Sequence, residues 1–260
     1  MPRRNDGVKT RTVNMALGVV RRILNLVAND WRDEKGLTWL EHAPKITLLK
    51  VRDNRPAYPL SREEQDLLLA ELPEHLRRMA LFKVNTGCRE HEVCSLQWDW
   101  EVPVPELNTS VFIVPGDTVK NEEDRLVVLN SVAKSVIESV RGQHRKSVFT
   151  YTPMPRKAKS GEVEEIPLPR SVDKMNNTAW KSARARAADR WEREHGESAP
   201  DGFRRIRVHD LKHTFGRRLR AAGVSFEDRQ DLLGHRSGRI TTHYSRAELS
   251  NLIAAAERAC

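Results

Sequence analysis

The last sixty residues hold the densest set of side chains able to do chemistry. On a helix, His209, Lys212 and His213 fall at i, i+3 and i+4 and share one face. An imidazole beside an ammonium, with Arg204, Arg205 and Arg207 just upstream, suits the binding and polarising of a phosphate. His235 follows, and Tyr244 comes nine residues later, beyond a glycine-bearing stretch that could present it to the same site. A tyrosine near such cations can attack a phosphodiester, because the cations neutralise the diester and lower the phenol's pKa. Other readings of the same residues stay open. His209 and His213 have the i,i+4 spacing of helical zinc ligands, although the glutamate of that motif is absent (Asp210 and Leu211 intervene). Tyr244 could cap a core, Arg89 and Glu92 could be an ordinary i,i+3 ion pair, and Lys120 could be a solvated loop lysine.

Charge points to the same class of partner. The 260 residues carry 45 Lys and Arg against 36 Asp and Glu, a net charge of +9. Residues 1–60 hold twelve basic and six acidic side chains, residues 61–200 hold 21 and 23, and residues 201–260 hold twelve and seven. The positive excess therefore sits at the two ends, as expected if both ends grip one polyanion. Lys50 and Arg52 belong to the first of these basic ends. No run approaches the ~18 apolar residues of a membrane span, and the opening MPRRNDGVKT has no apolar signal core. Three cysteines, Cys88, Cys94 and Cys260, make no even framework, so a reducing cytoplasm is expected.

The elements that must position these groups read as mostly α with one small sheet. Val13, Leu17, Val20, Leu24 and Val27 at 4-3-4-3 spacing predict a helix over 12–28. A second stripe of Met15, Val19, Ile23 and Leu26 predicts that it is buried between partners. Residues 50–60, with two prolines, read as a linker. Ser61 and Glu64 form a capping box that opens a helix to Glu71. Further helices are predicted over 74–85, 90–97 and 131–141, with strands at 111–114, 125–129 and 147–151. Cys88 and Cys94 are read as packing residues of one helix, and Trp98 and Trp100 as core. Residues 152–174 read as a long loop. From Asn177 the pattern is helical, broken near 195–207, Gly223 and 234–238.

Four segments carry a family resemblance. H-D-L-K-H-T-F from His209, L-G-H at His235 and the tyrosine nine residues later resemble the C-terminal signature of the tyrosine recombinases, the phage integrases. T-G-C-R-E-H-E-V-C-S-L-Q-W, Thr86 to Trp98, resembles the first box of that family, and T-V-K-N-E-E-D-R, Thr118 to Arg125, its β-hairpin lysine segment. The resemblance runs over residues 61–250 and implies an α+β fold: mainly α with a small antiparallel β-sheet. It implies that Arg89 clamps the scissile phosphate, Glu92 buttresses that site and Lys120 protonates the departing 5′-oxygen. His209 accepts the tyrosine proton or holds the phosphate, His235 donates to the phosphate, and Tyr244 is the nucleophile of a 3′-phosphotyrosyl intermediate. No metal and no other cofactor are implied. One position departs from the pattern: Lys212 stands where the family has a second arginine, keeping the charge without the bidentate fork.

The resemblance further implies a site-specific recombinase acting on double-stranded DNA attachment sites. Residues 1–52 would be a partial helical core-binding domain, 53–60 a linker and 61–260 the catalytic domain. Leu249, Leu252, Ile253 and Ala256 make an apolar stripe near the C-terminus. In relatives such a helix docks on a neighbouring protomer, so a homotetramer on DNA is expected, with accessory DNA-bending proteins as further partners and a cytoplasmic, nucleoid-associated location. Two alternatives use the same residues. One is a type IB topoisomerase; the other is a catalytically silent DNA-binding relative.

Overall fold

Residues 7–118, 123–153, 167–234 and 246–260 are described in a computed structural model, and they fall into two units, Met1–Pro56 and Ala57–Cys260. In the first unit the expected amphipathic segment forms helix α1, Thr10–Asn29. The chain returns along it: Asn14 brackets the backbone of Leu49 with two hydrogen bonds of 2.8 Å, and the Thr10 N–H donates to Asp53 at 2.8 Å. Met15, Val19 and Ile23 of the second apolar stripe stay in solvent, as does Val20 of the first, while Leu26 is half-buried. Burial between partners, expected from the sequence, is not met among the described residues. Lys50 and Arg52 are exposed on the returning segment.

The second unit begins earlier than the linker reading implied. The Tyr58 N–H donates to Asp210, the Tyr58 hydroxyl donates to Glu64 at 2.5 Å, and the Leu60 N–H donates to Thr214 at 3.0 Å. Residues 58–60 are thus stitched to the body of this unit. Helix α2, Arg62–Glu71, starts at the predicted capping box, and α3, Glu74–Thr86, runs through the centre of the core. Leu76, Met79, Phe82 and Val84 of α3 are wholly buried; each is worth about 1.5–3 kcal/mol of burial. Helix α4, Glu90–Cys94, is shorter than expected. Its continuation is taken into extended pairing, Val148 N–H to Leu96 O at 2.9 Å and Trp98 N–H to Lys146 O at 3.0 Å. Cys88 lies before this helix, not on it, and both cysteines are buried. Trp98 and Trp100 pack half-buried against the core.

A three-stranded antiparallel sheet follows, in order β1 (Glu101–Val104), β2 (Thr109–Val114), β3 (Arg125–Val128). β1 was not foreseen because Glu101-Val-Pro-Val lacks alternation, but Pro103 is tolerated on an edge strand. The register pairs Phe112 with Val127 and Val114 with Arg125. Those four residues therefore share one face of the pleat, turned toward the main core, while Val111 and Val128 face a second cluster. Helix α5, Ser131–Val140, leads to a two-stranded ribbon, β4 (Thr150–Tyr151) with β5 (Arg170–Ser171). β5 corrects the expectation of a loop to residue 174. The remaining helices are α6 (Thr178–His195), α7 (Asp201–Arg204), α8 (Val208–Ala221), α9 (Phe226–Leu233) and α10 (Arg246–Glu257). α7 lies inside a stretch read as irregular. The predicted class, mainly α with a small antiparallel sheet, is the one observed. No described helix is long and apolar enough to cross a membrane.

Candidate active site

Gly87 turns the chain out of α3 in a left-handed conformation, φ 63°, and so aims the next residues away from the helix axis. A Cβ there would lie 2.8 Å from Phe215 and 2.9 Å from Leu233, so α8 and α9 close directly on this turn. Arg89 follows as the N-cap residue of α4. Its N–H donates to Glu92 at 2.6 Å and its guanidinium reaches the other Glu92 oxygen at 2.8 Å. Glu92 is buried, and its second partner is Arg125. Burial alone would raise the Glu92 pKa, but Arg125 and Arg89 outweigh it and hold the carboxyl below its usual value.

The end of α9 supplies the other anchor. Three successive carbonyls each accept from a cation: Leu232 from Arg125 at 3.3 Å, Leu233 from Lys212, and Gly234 from Arg89 at 3.3 Å. These carbonyls have no intrahelical partner and carry the negative end of the helix dipole, so cations are the fitting caps. Arg125 also donates to Thr86 O at 3.5 Å, which ties α3, α4, β3 and α9 together. Gly234, with φ 56°, leaves room for that guanidinium; a Cβ would lie 2.7 Å from Arg125 Nε.

Lys212 is 5% exposed. Burial, then the neighbouring Arg125 and Arg89, push its pKa down to about 7. Lys83 is fully buried, donating to the Cys88 carbonyl, and burial lowers its pKa to about 8. His209 is held below its usual value by partial desolvation and by His213, Lys83 and Lys212. Its ring meets that of His213 edge-on at 4.8 Å.

Arg89, His209, Lys212 and His213 line one open cavity of about 940 Å³ between α8 and α9, and Arg217, Arg220 and Arg229 continue the same wall. Among the described residues, no carboxylate lines it. Such a cavity is matched to a polyanion and presents fixed donors where charge would develop on a phosphate. The model of the phage integrase family matches residues 60–250. The chain belongs to the phage integrase family.

Within this integrase-family chain, the integrase of Salmonella phage P22 is 25% identical over 229 residues, which cover 88% of this chain and 52% of that protein. The chain thus spans about half the length of the curated relative it matches. A structure of the Tn1549 transposon integrase in complex with a circular intermediate DNA has a TM-score of 0.57 at 13% identity, covering 97% of this chain and 76% of that one. A second Tn1549 integrase complex gives 0.55 at 15%, covering 96% and 83%. The fold is shared with these proteins.

Four of the sequence-predicted site residues of this integrase-family chain come together: Arg89, Glu92, His209 and Lys212. Lys120, His235 and Tyr244 lie outside the described residues. Arg204, Arg205 and Arg207 do not line the cavity. Arg204 faces α6, where it pairs with Glu192 and, at 3.5 Å, with Asp189; Arg205 lies 3.8 Å from Asp201. Arg125 and Lys83 were missed. The alternation of Arg125, Val127 and Leu129 on one strand face could have exposed the first, since both apolar partners are buried. Nothing in the local pattern marks Lys83.

Proposed function

We propose that this chain is the strand-exchanging part of a site-specific DNA recombinase, an integrase of a phage or genomic island. The observation that carries the reading is the convergence of Arg89, Lys212 and His209 on a cavity lined by no carboxylate among the described residues, inside a segment that belongs to the integrase family. In this reading Arg89 and Lys212 hold the non-bridging oxygens of the scissile phosphate. Tyr244 attacks phosphorus, forming a P–O bond to the phenol as the bond to the 5′-oxygen breaks. The phenolic proton passes to His209, Lys120 gives a proton to the leaving 5′-oxygen, and His235 donates to the phosphate. A 5′-hydroxyl then reverses these steps on a new strand. The phosphotyrosyl link conserves the diester's bond energy, so neither ATP nor a metal is needed; catalysis is positioning plus charge stabilisation.

The partner is double-stranded DNA, gripped by the two basic ends of the sequence, with Lys50 and Arg52 as phosphate contacts of the first. Residues 1–52 act as part of a core-binding domain. The working assembly is a homotetramer on DNA, joined through the C-terminal helix and aided by DNA-bending proteins, in the cytoplasm. In the present structure α10 packs on its own unit, with Leu249, Leu252 and Ala256 in one cluster with Val128 and Leu219, so assembly requires this helix to leave that seat. Covalent trapping tests the reading. Protein incubated with attachment-site plasmid in EDTA and quenched with SDS should leave protein-linked nicked DNA, absent for Tyr244→Phe. DNA binding without any adduct would refute it.

A further inference from the structure

The cavity is longer than the reaction needs. Arg89, Lys212 and His209 occupy one end, yet the exposed face of α8 continues through His213 and Arg217 to Arg220, at i, i+4, i+8 and i+11 from His209. At a rise of about 1.5 Å per residue, Arg217 and Arg220 lie roughly 8 and 12 Å along the helix from Lys212. Across the trough α9 contributes Arg229, whose Nε donates to Ser225 O at 3.2 Å and whose guanidinium stands 5.7 Å from the Phe226 ring centroid. Phe226 is 61% exposed, a large apolar surface at the far end of a cationic trough.

Arg217 and Arg220 are not spent on the fold among the described residues. Arg217 and Arg220 make no ion pair or hydrogen bond among the described residues, whereas Arg218, between them, is spent on Gln65 at 2.8 Å. Holding two uncompensated guanidinium groups on one wall is unfavourable unless an anion joins them. A free phosphate would satisfy one; a row of cations ending at an exposed ring fits a strand, with phosphates at fixed spacing and apolar sugar faces between them.

We propose that the α8–α9 trough is a second phosphate subsite, in which Arg217, Arg220 and Arg229 hold unreacting phosphates that flank the scissile one. The proposal rests on the DNA-strand reading above and deepens it. The arginines are positioning residues: they fix the register of the strand, so that the reacting phosphate arrives at Arg89 and Lys212.

The test is the salt dependence of duplex binding, measured from 50 to 200 mM salt. Each phosphate contact contributes about 0.9 to the slope of log K against log salt. Arg217→Gln/Arg220→Gln should lower the magnitude of that slope by about 1.8, and Arg217→Lys/Arg220→Lys should restore it, because the contact is charge and not shape. Arg193→Gln, on an exposed position of α6 outside the cavity, should leave it unchanged. An unaltered slope for the glutamine pair would overturn the proposal, as would an equal loss for Arg193→Gln or a lysine pair that fails to rescue. An unaltered slope with changed self-association would instead assign the trough to protein. Wild type that binds with the full slope but forms no tyrosine adduct would sink the recombinase reading and leave this one standing.

Discussion

Lys212→Arg separates charge from geometry at the centre of the site. With its pKa pushed down to about 7 by burial, Arg125 and Arg89, Lys212 is mostly an ammonium below pH 7 and a neutral amine above it. The fraction charged in the free protein falls to about a tenth at pH 8 and about a hundredth at pH 9. A neutral amine cannot neutralise a phosphate oxygen, so the contribution of this residue fades as pH rises. Arginine stays charged throughout. The assay is the rate of covalent adduct formation at subsaturating DNA between pH 6 and 9, which reports the groups of the free protein. Every other residue is common to the two proteins, so the ratio of the two rates reports on position 212. At pH 6 the arginine variant should be at least as fast, having gained a bidentate fork. The ratio should then grow by about tenfold for each pH unit above 7. A ratio flat across this range would refute the reasoning, showing that Lys212 keeps its proton or that its charge plays no part.

Other perturbations probe the support behind the site. Arg125→Met removes one partner of buried Glu92 and the donor to the Leu232 and Thr86 carbonyls; a loss of about 3–5 kcal/mol is expected in urea unfolding. Gly87→Ala must hold a left-handed residue, about 1–2 kcal/mol, and also push back Phe215 and Leu233. Both the unfolding midpoint and the adduct rate should fall, since Arg89 is two residues away. Lys83→Met removes a buried lysine whose folded pKa is about 8. Below pH 8 both states of the wild type hold that proton, and between 8 and the unfolded value only the unfolded state does, so wild-type stability rises with pH there. The stability difference between variant and wild type should therefore shift in favour of wild type by up to about 1.4 kcal/mol per pH unit above 8, and be flat below, in unfolding measured across pH 6–10.

How far the sequence could be read differs from residue to residue. Arg89 and Glu92 were legible through the family resemblance of the Thr86–Trp98 segment, since by spacing alone they are an ordinary i,i+3 ion pair. His209 and Lys212 were legible as one helical face, but their unlike fates were not: Lys212 is buried beside Leu211 and Phe215 where it lines the cavity, while His209 and His213 are exposed on the same wall. That division depends on where α3 and α9 pack, which no local pattern records. Arg204 was placed near the site on sequence proximity, yet the turn of α7 points it at Glu192 instead. Arg125 and Lys83 escaped notice because a charged residue inside a core needs long-range partners, here Glu92 and the Cys88 carbonyl. β1 was hidden by Pro103, an edge residue whose missing N–H costs nothing on the open side.

The central claim is that Arg89 and Lys212 act by neutralising the phosphate under attack. It is tested most directly with a substrate whose scissile phosphate is a neutral methylphosphonate. On the natural diester, Arg89→Ala and Lys212→Ala should each lose covalent adduct formation. On the neutral analogue, where there is less charge to offset, both variants should recover tyrosine-linked product toward the wild-type level. Variants as inactive on the analogue as on the diester, with DNA still bound, would contradict the account and leave these residues a structural role alone.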